Sequence, residues 1–150
     1  MTEEDIPAVC ALEEICFPGD PWPKEEFLFE LRQNPFSQVY VYEKDGRIAG
    51  YIDWWIMYEQ AQLADIAVHP DYRRCGIGKE MMDFCIAESN AKGCETLSLE
   101  VRKSNFPALA MYRSYGFIEA AIRKNYYEDG EDAILMVLPL GGGYDADTGN

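Results

Sequence analysis

A basic, glycine-containing segment between Arg73 and Lys79 has the composition of an anion-binding loop. It follows an apolar run, residues 63–68, that predicts a buried strand, and it precedes apolar residues at helical spacing. The first N–H groups of a helix have no partner inside the helix, and the helix dipole adds partial positive charge there. The order of strand, basic turn and helix therefore favours a bound phosphate-type anion. An ordinary strand-to-helix turn is the alternative.

Two common phosphate-binding motifs do not fit this loop. A P-loop requires G-x-x-x-x-G-K-S/T, but Lys79 is followed by Glu80 and the first glycine is absent. The dinucleotide fingerprint requires a third glycine where this chain has Met81. What remains is R-x-x-G-x-G, from Arg73 to Gly78. This motif resembles the loop that holds the pyrophosphate of acetyl-CoA in the GCN5-related N-acetyltransferases (GNAT).

The second half of the chain extends the resemblance to a subgroup. Residues 99–117 resemble the L-E-V-R-x-S-N-x-x-A-x-x-L/M-Y-x-x-x-G-F signature of the bacterial ribosomal-protein-alanine N-acetyltransferases, the RimI group. Residues 123–134 are similar to that group's R-x-N-Y-Y…E-D-A-I segment, and residues 16–22 resemble its substrate-side F…P-W turn. The match covers nearly the whole chain.

The resemblance implies an amine that attacks the thioester of acetyl-CoA directly. Glu100 is then the candidate base that removes the amine's proton, directly or through water. Tyr112 is the candidate acid that protonates the leaving thiolate. Without the resemblance, Glu100 would be interpreted as a solvated strand residue. Tyr112 would be interpreted as core, because it shares a helical stripe with Ala108, Met111 and Tyr115.

The resemblance also implies a set of residues that bind acetyl-CoA, with the Val68 N–H polarising the acetyl carbonyl. Asn105 belongs to this set, although it could equally serve as a helix N-cap. His69, the single histidine, is interpreted as a turn residue and not as a base. The predicted cofactor-binding residues are Ile66, Ala67, Val68, Arg73, Arg74, Cys75, Gly76, Ile77, Gly78, Lys79 and Asn105.

The acceptor implied by the resemblance is the N-terminal alanine of a small-subunit ribosomal protein with basic residues behind it. Only a neutral amine is nucleophilic, and reference pKa values of about 7.7–8.0 for an α-amine and about 10.4 for lysine favour the α-amine. The difference is worth about 3.4 kcal/mol in the cost of deprotonation near neutral pH. The acidic residues Glu128, Asp129, Glu131 and Asp132 are candidates to meet such a peptide.

The overall charge limits the choice of partner. A formal net charge of −14 argues against nucleic acid as a direct partner and favours a cationic one. Simple solubility is the alternative explanation. The five cysteines form no C-x-x-C pair, which predicts free thiols in a reducing compartment and no metal site. With no long apolar run and no leader pattern, the expected location is the cytoplasm and not a membrane.

The periodicity predicts four helices and six strands. The first helix is capped by Thr2 and should bury Val9, Leu12 and Ile15, while Gly50 marks a bulge or a close approach within a strand. Residues 58–62 are expected to form a short connection. The later helices are predicted at residues 24–33, 79–90 and 106–115, and the strands at 37–43, 47–57, 63–68, 95–102, 117–123 and 133–138.

These elements predict an α/β fold, a GNAT-like mixed and mostly antiparallel sheet of about six strands with helices on both faces. The group normally begins with a strand ahead of the first helix, and that strand is expected to be missing here. A single domain is predicted for residues 1–140, followed by a flexible tail at 141–150.

Two other functions compete with the N-terminal acetyltransferase. An N-acetyltransferase for a free small amine would also suit the acidic chain, and it would acetylate amines without a peptide. A coenzyme-A-binding module without catalysis would bind the coenzyme but show no turnover, and the Glu100/Tyr112 pair makes this less favoured.

Overall fold

The computed structural model describes residues 1–141, which form four helices and six strands. Two short 3-10 turns, Glu3–Asp5 and Pro70–Tyr72, accompany them. The sheet has the strand order β1-β2-β3-β4-β6-β5. In chain order the elements are α1 (Ile6–Cys16), α2 (Lys24–Arg32), β1 (Ser37–Lys44), β2 (Arg47–Met57), β3 (Gln60–Val68), α3 (Ile77–Ala91), β4 (Thr96–Arg102), α4 (Phe106–Ser114), β5 (Ile118–Arg123) and β6 (Ala133–Pro139).

The chain divides into two compact units. The first unit contains Met1–Ile56 and Ala64–Ala87, and the second contains Met57–Leu63 and the chain from Glu88 onward. The chain passes from one unit to the other three times: at the end of β2, within β3 and within α3. The single domain over residues 1–140 stays a prediction.

In the first unit, the 3-10 turn Glu3–Asp5 leads into α1 and starts from a capping box in which the Thr2 N–H donates to Asp5 at 2.8 Å. The inward face of α1 carries Ile6, Val9 and Leu12, which are at most 3% exposed. The prediction that Ile15 completes this face is wrong, because Ile15 is 50% exposed. The buried position in that turn is Glu13, which lies about 200° around the helix from Ile15.

Gly50 was predicted to be a bulge or a close approach, and the first unit shows both features. The β1–β2 register shifts between Tyr42 and Glu43, opposite Gly50. A Cβ added to Gly50 would lie 2.8 Å from the Ala67 carbonyl oxygen, closer than real Cβ atoms come. Only glycine therefore allows β2 to approach the end of β3 this closely.

The predicted connection at residues 58–62 is wrong, because β3 already begins at Gln60. Gln60, Ala61 and Gln62 pair in parallel with Thr96, Leu97 and Ser98 of β4, within the second unit. The alternation of polar and apolar residues from Gln60 onward has the period of a strand. Tyr58, with φ of 60°, makes the turn instead.

The second unit is built around β4, whose residues alternate between buried and half-buried. β4 pairs antiparallel with β6, and β6 pairs antiparallel with β5. Together with the parallel β3–β4 pairing, this confirms the predicted α/β class with a mixed, mostly antiparallel sheet. Among residues 1–141, no strand precedes α1.

Two further findings concern the predicted location and tail. No helix within the described residues is long and apolar enough to cross a membrane. Of the predicted tail, Gly141 donates its N–H to Asn90 at 2.8 Å, and residues 142–150 lie outside the described part of the chain.

Candidate functional site

The basic loop of the first unit leads directly into the start of α3. The Glu80 N–H donates to the Gly76 carbonyl at 2.9 Å, so the helical amides before Glu80 have no helix carbonyl to bond. Gly76 has φ of +80°, and no described atom would lie within 4 Å of a Cβ placed there. A Cβ on Gly78 would meet Val68 at an ordinary contact distance of 3.7 Å. The helix start is therefore open and lined by glycine, as an anion site requires.

Arg73, the first arginine of the loop, is folded back onto the end of β3. Its Nε donates to the Val68 carbonyl at 3.2 Å, and a terminal nitrogen lies 3.5 Å from Cys16 Sγ. The Cys16 thiol donates to the same carbonyl at 3.4 Å. Burial raises the pKa of Cys16, which keeps the thiol protonated and able to donate. Arg73, Cys16 and the end of β3 thus form one hydrogen-bonded group.

Of the other loop residues, Arg74, Cys75 and Lys79 face solvent, whereas Ile77 is buried. Arg74 is exposed and has φ of 67°, a left-handed conformation that is uncommon for a residue other than glycine. Lys79 is exposed and lies 2.7 Å from Asp83 one turn further along α3. Cys75 is an exposed free thiol. Arg74 and Lys79 therefore place two exposed positive charges near the start of α3.

The predicted acetyl-binding segment is the last part of β3. Ala67 is buried against the core of the first unit, while Ile66 and Val68 are half-buried and point to the opposite face. His69 ends the strand, and its Nδ1 accepts a hydrogen bond from the Asp71 N–H at 3.0 Å. This contact is that of a turn residue, which was the interpretation of His69 from the sequence.

Glu100 lies on β4 in the second unit, and its side chain is only 13% exposed. The solvated position considered from the sequence is therefore wrong. Its Oε2 forms an ion pair with Arg123 of β5, and its Oε1 accepts a hydrogen bond from the Tyr126 hydroxyl at 2.9 Å. Burial and this hydrogen bond raise the pKa of Tyr126, so the phenol stays protonated as the donor. Glu100 is thus held by two partners.

Sequence reasoning assigned no role to Arg123 or Tyr126. The available signal was strand register, since Glu100 faces Leu135 and Arg123 faces Ala133 across the same central strand, β6. Residues so placed on neighbouring strands can meet if their side chains are long. The register itself was not readable from one sequence.

Tyr112 lies on α4 and is 6% exposed, with its ring centroid 5.5 Å from that of Phe117. The buried face of α4 consists of Leu109 and Tyr112. The predicted stripe is wrong at Met111, which is 39% exposed. Leu109 and Tyr112 are separated by only about 60° around the helix, so they share the inward face. Met111 lies about 100° from Tyr112 and points away from that face.

Asn105 directly precedes α4 and caps it. Its Oδ1 accepts a hydrogen bond from the Ala108 N–H at 3.2 Å, which satisfies one of the helix's first donors. The side chain is exposed, so this cap leaves its amide group accessible to solvent. The N-cap alternative is therefore correct as a structural role.

The acidic loop, residues 125–132, is held together internally. Arg102 contacts Asp129 at 2.8 Å and Glu131 at 3.0 Å, and lies 4.0 Å from the centre of the Tyr127 ring. Asp132 accepts the Asn125 N–H at 3.0 Å. Most of the carboxylates suggested to meet a basic peptide are thus already paired within this loop.

Three buried carboxyl groups, Glu13, Glu30 and Asp53, and the half-buried Asp65 were not singled out from the sequence. Glu13 on α1 and Asp65 on β3 lie close together in the first unit, and burial raises the pKa of both. Glu30 on α2 and Asp53 on β2 form a second pair, at 2% and 0% exposure. Each is an ordinary acidic residue in the sequence, so no local signal marked them.

Comparison with known proteins adds to this geometry. The profile of the acetyltransferase (GNAT) family matches residues 6–117. The chain belongs to the acetyltransferase (GNAT) family. A Bacillus subtilis protein, named provisionally as a ribosomal protein bS18-alanine N-acetyltransferase, is 42% identical over 93% of each chain.

Two solved structures have the same fold as this family member. The ribosomal-protein-S18-alanine N-acetyltransferase from Escherichia coli matches with a TM-score of 0.86 and 35% identity, over 100% of this chain and 96% of that one. A chain of the NatC complex bound to Gag peptide and CoA matches with a TM-score of 0.79 and 25% identity, over 93% of this chain and 92% of that one. The predicted acetyltransferase enzyme class and GNAT fold are thereby confirmed.

Proposed function

We propose that this protein transfers the acetyl group of acetyl-CoA to the N-terminal α-amine of a protein, with the N-terminal alanine of ribosomal protein bS18 as the acceptor. The observation that carries this proposal is the likeness, over nearly the full length of both chains, to relatives named for that reaction. The net charge of −14 suits a cationic acceptor. A ribosomal acceptor also places the reaction in the cytoplasm.

The open helix start supports acetyl-CoA as the co-substrate, which supplies an activated acetyl thioester when bound. Residues Arg73 to Lys79 would hold its diphosphate through main-chain amides at the start of α3 and through exposed cationic side chains. Gly76 fits this role because its φ of +80° favours glycine, and neither Gly76 nor Gly78 has a side chain that would cover those amides. The main chain of Ile66, Ala67 and Val68 would orient the acetyl group, and Asn105 would contact the coenzyme.

Glu100 would take the proton from the incoming ammonium, directly or through a water molecule. Its ion pair with Arg123 and the hydrogen bond from the Tyr126 hydroxyl hold the carboxylate in one orientation. Each carboxylate oxygen has lone pairs beyond the one used by Arg123 or Tyr126, so an acceptor position remains. The same negative charge would attract the cationic amine.

Tyr112 would protonate the thiolate that leaves. A phenol of reference pKa about 10 can protonate a thiolate of reference pKa about 8.5 only with help from hydrogen bonding. Its burial on α4 restricts its rotamers, which keeps the hydroxyl in one direction. The proton lost by the amine and the proton gained by the thiolate are thus handled by different residues.

The test offers acetyl-CoA with three peptides that start Ala-Arg: one free, one with a blocked N-terminus, and one with a blocked N-terminus and an internal lysine. We expect acetylation of the free peptide alone. Glu100→Gln should lower kcat by about a hundredfold or more, and Tyr112→Phe by about tenfold or more, with the coenzyme dissociation constant changed by about twofold at most.

Two matched variants control for loss of charge or hydroxyl. Glu119→Gln changes an exposed glutamate on β5, and Tyr115→Phe changes a half-buried tyrosine that directly follows α4. Both should keep near-native kcat. Equal acetylation of the blocked peptides, or faster acetylation of a free polyamine than of the free peptide, would refute the N-terminal assignment.

A further inference from the structure

The turn between α1 and α2, residues 17–23, leaves α1 beside the end of β3. Cys16, the last residue of α1, donates its thiol to the Val68 carbonyl at 3.4 Å. Residues 17–20, which follow it, are exposed. If an acetyl group is held at Val68, an amine that approaches it must therefore come within reach of this turn.

Hydrogen bonds hold the turn at both of its ends. Within it, the Asp20 N–H donates to the Phe17 carbonyl at 3.1 Å. Its other end is held by a side chain of α1, since the Trp22 N–H donates to Glu13 Oε2 at 2.8 Å. The Trp22 ring packs against the Phe27 ring in the first unit, with 5.3 Å between the two ring centroids. The Glu13 side chain is thus one anchor of the turn, at Trp22.

Glu13 in turn is fixed by β2 and β3. The Tyr51 hydroxyl donates to Glu13 Oε1 and lies 3.4 Å from Asp65 Oδ2. Glu13 and Tyr51 are at most 1% exposed. Two carboxyl groups this close and this poorly solvated cannot both be ionised, so Asp65 retains a proton that it can share with Glu13.

We infer that Glu13 is a positioning residue for acceptor binding, which anchors the turn at residues 17–23 to β3 through Tyr51 and Asp65. One of its carboxylate oxygens accepts a hydrogen bond from Trp22 of the turn, and the other accepts one from Tyr51 of β2. This inference rests on the proposed function, because it takes a peptide amine as the acceptor. Its direct consequence is that Glu13 affects the peptide KM and not the chemical step.

The test compares Glu13→Ala with Glu13→Gln and with Glu14→Ala, an exposed neighbour on the same helix. Glu13→Ala should raise the peptide KM about tenfold, with kcat within about threefold and the acetyl-CoA KM within about twofold of native. Glu13→Gln should stay within about threefold of the native peptide KM, because the amide oxygen still accepts and the amide nitrogen can donate to Asp65. Glu14→Ala should match the native protein.

A second measurement follows the anchor itself by amide hydrogen exchange. Exchange at the Trp22 N–H should accelerate about tenfold or more in Glu13→Ala. The Phe17 N–H, which donates to the Glu13 backbone carbonyl at 2.8 Å, should exchange at the native rate. Should Glu13→Ala fail to fold, Tyr51→Phe carries the same test, since it removes the hydroxyl from Glu13 with little change in volume.

An unchanged peptide KM in a folded variant with a released Trp22 amide would overturn the inference. A fall in kcat at constant peptide KM would overturn it as well. If the native protein acetylates no peptide N-terminus, the proposed function fails, and Trp22 exchange still decides whether Glu13 anchors the turn.

Discussion

Asp53 gives the most quantitative prediction, because it is a carboxyl group enclosed in the first unit. It is 0% exposed on β2, and neither of its oxygens meets a hydrogen-bond donor among the described residues. Burial, and then the hydrogen bond and negative charge of Glu30, raise the pKa of Asp53 from 3.8 to about 10. Glu30 accepts hydrogen bonds from Trp55 Nε1 at 2.5 Å and Asn34 Nδ2 at 2.8 Å. Asp53 is therefore the protonated member that donates to Glu30.

The sign of the pH dependence follows from the two states of the chain. Below pH 3.8, Asp53 is protonated in both the folded and the unfolded protein. Above this value the unfolded chain loses the proton while the folded protein keeps it until about pH 10, so stability falls as pH rises. Each pH unit corresponds to about 1.4 kcal/mol, which makes about 4 kcal/mol at pH 7.

Asp53→Asn removes this titration and lets an amide N–H donate to Glu30 in place of the proton. The free energy of unfolding of the variant minus that of the native protein should rise by about 1.4 kcal/mol per pH unit between pH 5 and pH 8. Urea unfolding followed by far-UV circular dichroism at four pH values measures this difference. Asp45→Asn, at the exposed β1–β2 turn, is the control for simple loss of a charge.

A difference in the free energy of unfolding between native protein and Asp53→Asn that stays constant with pH would refute this reasoning. It would mean that the folded protein ionises Asp53 as easily as the unfolded chain does. A pH-dependent difference of the same size in Asp45→Asn would refute it too. In that case, general charge repulsion in an acidic protein would be the cause.

Three further predictions concern the loops and the close approach at β2. Gly50→Ala should lower the free energy of unfolding by about 2 kcal/mol in urea titrations, because its Cβ would lie 2.8 Å from the Ala67 carbonyl oxygen; a loss under about 0.5 kcal/mol would contradict this. Gly76→Val should weaken coenzyme A binding about tenfold or more in calorimetry, since valine disfavours φ of +80°, whereas Gly19→Ala, in open space, should bind normally. Arg102→Ala should increase cleavage of the acidic loop by a glutamate-specific protease about fivefold, because that loop loses its central cation; native cleavage rates would argue against this role.

Local sequence was enough for the elements and for the glycine-containing loop. The periods of apolar residues predicted four helices and six strands, because each period reflects geometry within a single element. The loop from Arg73 to Gly78 was also predictable, since the free amides at a helix start and the conformation of glycine are properties of adjacent residues. Gly50 was identified for a similar reason, as a glycine inside a strand.

The partners of charged side chains were decided by tertiary structure alone. Glu100 and Arg123 are 23 positions apart and meet because β4 and β5 lie on either side of β6. Glu13 and Asp65 look like solvated acids in the sequence, yet α1 and β3 bring them into one buried group. Desolvation depends on which elements pack together, and a linear pattern carries no record of that packing. The sequence therefore predicted a loop that resembles the acetyl-CoA loop of the family, while only the fold revealed how the carboxyl groups of the protein are held and protonated.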